Sequence, residues 1–225
     1  MNQDHFAFAS APLQRFNLLL SLGLHPSRAA LWLPGYATAQ PWLAEPAASR
    51  QWHLHWSALL LERLQDDSRP VRELSHPATA LALAEPALQQ AVARHAGLLL
   101  LGAHLRRRIA RREVCAAQQV MGRAAWDWIC GQGAALHPGL DAPQPWLAQG
   151  LAAGADQLGT GLLAQSWHDA PAPLRRRADW KLPLDAESDA CRAVSGLTPP
   201  QACSLCLQTL KFLEPAWLSS FPTIH

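Results

Sequence analysis

Residues 96–112 read AGLLLLGAHLRRRIARR, and what this stretch forms decides the fold. Four consecutive leucines pass through a short Gly-Ala-His-Leu spacer into Arg106, Arg107, Arg108, Arg111 and Arg112. Pro86 suits the first turn of a helix, so an unbroken helix from Pro86 to Arg112 is expected. At about 100° per residue, Leu98, Leu101, Leu105 and Ile109 share one stripe while the arginines cover most of the remaining surface. The apolar half is therefore expected in a core and the basic half at its edge.

On one helix, Arg107 would stand at i,i+4 from Arg111 and Arg108 from Arg112, each like-charged pair costing roughly 0.2–0.5 kcal/mol. No acid precedes Glu113 within the segment. A helix C-terminus near Arg112 would offset part of the repulsion through its partial negative charge. The flank reads either as a solvated charged face or as a contact for an acidic neighbour or partner.

The chain has 225 residues, 49% of them hydrophobic and 16% charged, enough for one sizeable core. A net charge of +2 does not indicate a protein that coats nucleic acid along its whole surface. Five cysteines, odd in number and sparse, do not suggest a disulfide framework, so a reducing compartment fits. Asp4 and the lack of a basic leading region argue against a secretory signal. The apolar runs fall short of the roughly 20 residues of a membrane span. A soluble, cytoplasmic protein without direct membrane insertion is expected.

Helical periodicity recurs outside the central stretch, and no series of strands is found. Residues 1–12 read as a loose lead-in, 13–214 as a single helical domain and 215–225 as a tail that frays unless Trp217 and Phe221 dock. Ser27 is expected to cap a helix over 29–33. Trp52, Trp56, Leu59 and Leu60 place a helix over 49–65. Val114, Ala117, Met121, Ala125 and Trp128 form the stripe of a helix over 113–130, with Trp126 lying off it. The glycine-punctuated segment 146–167 reads as one helix, or as two if its glycines split it, and those glycines also permit close backbone packing. Trp180, Leu182 and Leu184 alternate with polar or proline positions, which suggests a short extended segment near 178–184. Thr198 with Pro199 and Pro200 opens a last helix whose buried face carries Ala202, Leu205, Cys206, Thr209 and Leu213. The expected class is all-α.

Each motif with catalytic or metal-binding associations has a plainer account. Cys203-x-x-Cys206 lacks the four regularly spaced ligands of a structural zinc site and the strand context of a redox site, so burial of two small side chains is favoured. His53 and His55 point to opposite sides of a helix and cannot share a metal there. Gly159-Thr160-Gly161 has neither a preceding strand nor a third glycine. Neither a cofactor nor an enzymatic activity is expected. Ten tryptophans among so many arginines favour an interaction role modestly, since both residue types are enriched in interface hot spots.

The order of features resembles the YscK/SctK family, accessory proteins of the bacterial type III secretion injectisome. The likeness is carried by FNLLLSLGLHPSRAALWLP, with Phe16-Asn17 and His25-Pro26-Ser27, and above all by GLLLLGAHLRRRIARREVCAAQQVMGRAAWDW from Gly97 to Trp128. The stretch 151–184, where a glycine- and leucine-containing helix precedes an arginine-rich link and a closing Lys-Leu-Pro-Leu, agrees with it, as does a terminal helix with Leu207 and Leu210. The tryptophan-rich residues 41–56 have no counterpart in the family pattern. The resemblance implies an all-helical cytoplasmic adaptor of the sorting platform, at the cytoplasmic face of the inner membrane. Its partners would be the cytosolic domain of an SctD-like inner-membrane ring protein and an SctQ-like cargo component, with Arg106, Arg107, Arg108, Arg111 and Arg112 as the candidate partner contact. The alternatives are a nucleic-acid-binding regulator using these arginines with Arg175, Arg176 and Arg177, and a metal protein built on cysteine and histidine.

Overall fold

The computed structural model describes residues 3–107, 110–187 and 196–221, and all of its regular structure is helical. In chain order, α1 is Gln3–Leu18, α2 Leu20–Gly23, α3 Pro26–Trp32, α4 Tyr36–Ala39 and α5 Pro46–Leu64. The next helices are α6 Thr79–Leu83, α7 Pro86–Leu100, α8 Gly102–Arg106, α9 Arg111–Met121, α10 Arg123–Cys130 and α11 Gly133–Leu136. There follow α12 Gln144–Leu147, α13 Leu151–Ser166, α14 Ala172–Asp179, α15 Pro199–Leu213 and α16 Pro215–Ser219. The fold is all-α. Two compact units share the chain: Met1–Pro86 with Trp167–Asp185 and Glu214–His225, and Ala87–Ser166 with Ala186–Leu213.

The first unit has a tryptophan-rich core. Trp56, fully buried on α5, packs with Leu20, Leu24, Leu33, Leu60, Leu64 and Trp180. Its indole N–H donates to the Pro34 carbonyl at 3.0 Å, the partner that a buried tryptophan needs. Trp52 and Tyr36 lie against Trp56, with ring centroids 5.1 and 5.7 Å away. Trp42, by contrast, is 57% exposed. Helix α3 starts at Pro26 with His25 as its cap, the imidazole accepting from the Ser27 N–H at 3.2 Å. The ring reaches an amide two residues on and takes the place expected of Ser27, whose hydroxyl lies 2.9 Å from the same nitrogen.

The stretch before Pro12 is helical from Gln3, in line with the good helix propensity of its alanines. No extended segment forms near 178–184. Pro171 is the N-cap of α14, which carries Arg175, Arg176 and Arg177, and the chain then turns through Lys181 N–H to Ala178 O at 3.1 Å and Leu182 N–H to Asp179 O at 3.0 Å. The alternation of Trp180 and Leu182 is thus that of a helix exit, with both side chains buried. Trp217 docks through its indole N–H on the Ala80 carbonyl at 2.9 Å and packs edge-on against the buried Phe221.

In the second unit α7, α13 and α15 form the centre. Leu98, Leu99, Leu100, Leu101, Leu105, Leu158, Leu162, Cys206 and Leu210 are each at most 2% exposed. A Cβ added at Gly97 would overlap the Ala155 carbonyl, and one at Gly159 the Ala93 carbonyl. Both glycines are therefore points of backbone contact between α7 and α13. Arg94 clamps the same pair through two bonds to Asp156 of 2.8 and 2.7 Å. Gly150, with φ +91°, separates α12 from α13, so the segment 146–167 is two helices. Gly122, with φ +82°, likewise splits residues 113–130 into α9 and α10. The stripe survives the split, since Ala117, Met121, Ala125 and Trp128 are all buried. Trp128 stacks on Phe212 of α15 at 4.6 Å and 13°.

Candidate functional site

The leucine run is buried as its pattern requires, but the helix does not reach Arg112. The Leu100 carbonyl, which would accept from His104 in a regular ladder, accepts instead from Leu140 N–H at 2.8 Å. His104 N–H turns to Leu101 O at 3.0 Å, a tighter turn that kinks the chain before α8. The diverted carbonyl belongs to a docked loop. Its Gly139, φ +103°, lies where a side chain would crowd Ala103. Arg106 donates from Nη2 to the Pro138 carbonyl at 2.8 Å. His137 Nδ1 accepts from Gly139 N–H at 2.9 Å, and burial pushes this imidazole below its ordinary value, keeping it neutral and able to accept.

The candidate arginines are therefore not equivalent. Arg106 is half-buried and tethers the loop; its Nη1 is enclosed beside Gly102 with no hydrogen-bond partner among the described residues. Arg107 is exposed where α8 ends. Arg108, with Ile109, lies outside the described residues. Arg111 and Arg112 are exposed in the first turn of α9, whose N-cap is Ala110. The helix end expected near Arg112 is instead a helix start, where the partial positive charge of the free N–H groups adds to both guanidiniums. Glu113 in the same turn is the local counterweight. Among the described residues Arg107, Arg111 and Arg112 have no carboxylate within salt-bridge distance, whereas Arg94, Arg123 and Arg176 each do. The i,i+4 repulsion expected between Arg107 and Arg111 does not arise within one helix, because they lie on either side of the break.

Other candidates find structural employment. Cys203 and Cys206 are buried, and burial pushes the first thiol up to about 12 and the second well above its ordinary value. Both stay protonated, the opposite of what thiolate chemistry needs. Cys191 lies outside the described residues. His53 is half-buried with Nδ1 2.9 Å from Ser21 Oγ, which in turn lies 2.9 Å from Ser57 Oγ, while His55 is exposed on another side of α5. Thr160 bonds its own helix at Asp156 O, 2.6 Å away, within α13 and not in a phosphate-binding loop. Three buried or enclosed cations, Arg28, Arg177 and Lys181, had no local signal in the sequence. Each is spent on carbonyls far along the chain, such as Leu182 O for Arg28 at 2.8 Å. Among the described residues no helix is long and apolar enough to cross a membrane.

Comparison with protein families, curated proteins and solved structures returns no match for this chain.

Proposed function

We propose that the protein is a non-enzymatic adaptor of a type III secretion sorting platform, linking an SctD-like ring protein to an SctQ-like cargo component at the cytoplasmic face of the inner membrane. The observation that carries it is the surface at the α8–α9 break. Arg107, Arg111 and Arg112 are exposed there without acidic partners among the described residues, directly after a leucine run packed into the core of its unit. Exposed guanidiniums without a carboxylate partner among the described residues suit a carboxylate-rich partner, since arginine can bond a carboxylate through two parallel N–H groups. The resemblance of residues 97–128 to the YscK/SctK pattern supplies the partners by name.

Arg107→Glu combined with Arg111→Glu tests the assignment, with each candidate partner as bait and circular dichroism as the folding control. The pair of substitutions is expected to lower capture by one partner at least tenfold, about 1.4 kcal/mol or more, with helicity unchanged. Undiminished capture of both partners by the folded variant would remove these arginines from the interface.

A further inference from the structure

The first unit contains a cleft of about 190 Å³ where α14 and its exit meet α1 and α2. Phe16, Leu20, Leu83 and Trp180 supply apolar wall, and Arg15, Arg177, Lys181 and Glu85 the charges. The one carboxylate is committed at the rim, where Glu85 lies 3.1 Å from Arg15 and both side chains are more than 60% exposed. The deeper cations are held by carbonyls. Lys181 Nζ donates to Ala82 O at 2.9 Å and to Ala84 O, and the Phe16 ring is centred 5.6 Å from Nζ. Arg177 is 2% exposed and donates to Asp67 O, Pro173 O and Ser68 O. Its Nε is buried with no hydrogen-bond partner among the described residues. The Asp67 carboxylate is turned to Arg176 at 3.3 Å.

Carbonyl dipoles satisfy donors without neutralising whole charges, and a buried charge lacking a counter-charge is costly. Low-dielectric walls also focus the resulting positive field into the cleft. We propose that this cleft binds a small monocarboxylate bearing a single ring or a short acyl chain. The carboxylate pairs with the Lys181 ammonium, with Arg15 at the rim, and the apolar body lies against Phe16, Leu20, Leu83 and Trp180. The size is appropriate, since an apolar cavity of about 150 Å³ accepts benzene. A singly charged head also loses less hydration here than a phosphate dianion would. Burial lowers Lys181 to about 7, with Glu85 opposing the shift. The other charged groups facing the cleft are Arg15, Glu85 and Arg177, the last lowered by burial with Asp67 opposing the shift. A carboxylate beside Nζ favours the ammonium, so binding takes up a proton and weakens as pH rises through neutrality.

Titration calorimetry on the full chain with benzoate and hexanoate tests this, with benzyl alcohol and inorganic phosphate as controls. Saturable binding of benzoate is expected, about tenfold or more tighter than benzyl alcohol or phosphate, and severalfold weaker at about pH 8 than at about pH 6. Lys181→Met should abolish it. Leu22→Glu, placed at a lining residue that is 46% exposed, should weaken it severalfold while leaving the fold intact, which keeps the test decisive if the lysine variant does not fold. Absence of saturable binding by both acids, equal affinity for benzyl alcohol, or full benzoate affinity in folded Leu22→Glu would each overturn the proposal.

Discussion

Gly97 and Gly159 fix how closely α7 and α13 run, because at each position a methyl group would enter the opposite backbone. Gly97→Ala and Gly159→Ala are each expected to destabilise the protein by about 2 kcal/mol or more, read as a lowered urea midpoint, since rigid main chain must move to admit the atom. Lys181 gives a pH signature of its own. Its folded value of about 7 lies below that of the free side chain, so above neutrality the unfolded chain holds a proton that the native one lacks. Stability should therefore rise with pH from about 7, by up to about 1.4 kcal/mol per unit. Above about pH 9 the rise should be countered, because Cys203 and Cys206 keep their protons in the native state while the unfolded thiols lose theirs. Denaturation midpoints across this range check both signs, and Lys181→Met should remove the rise. The sequence marks glycines within an apolar helix as possible close-contact points, which is as far as periodicity reaches. It holds no cue that Lys181 is enclosed, because the carbonyls it meets lie about a hundred positions earlier.

The contrast between buried leucines and exposed arginines follows from composition along a few turns, and it was legible in residues 96–112. The kink between α7 and α8 was not, because it involves the bond from Leu140 N–H to the Leu100 carbonyl, more than thirty positions away. Local pattern sees a favourable helix, whereas the docked loop takes one carbonyl out of the ladder. Arg106→Met keeps the stem of the side chain but removes the donor to the exposed Pro138 carbonyl, which water can then serve, at a cost of about 1 kcal/mol. The expected mark is faster hydrogen exchange at the Leu140 amide, with amides in the centre of α13 unaffected. Exchange unchanged at Leu140 would show that the loop is held without the arginine. Two other splits, at Gly122 and Gly150, rest on positive φ angles that a glycine adopts without strain. Only the second was foreseeable, because that segment is visibly rich in glycine. The alternation over Trp180, Leu182 and Leu184 misled for a related reason. Two buried residues on a turn leaving a helix mimic the period of a strand.

Across the molecule, helical class and the identity of the main apolar faces were available from the sequence, whereas the assembly of each unit from separated stretches was not. The first unit gathers Trp56, Trp180 and Trp217 from distant parts of the chain, where Trp56 and Trp180 pack in one core and the indoles of Trp56 and Trp217 are hydrogen-bonded. This leaves the arginines of the α8–α9 break as the surface on which the proposed adaptor role turns. An adaptor must hold two partners at once. The most direct measurement is therefore size-exclusion chromatography with light scattering on the purified chain mixed with the cytosolic domain of an SctD-like ring protein and an SctQ-like component. The expected result is a ternary complex that forms only when the chain is present, and that Arg107→Glu with Arg111→Glu reduces to a binary one. Elution of the three proteins separately, or mutually exclusive binding of the two partners, would contradict the adaptor function.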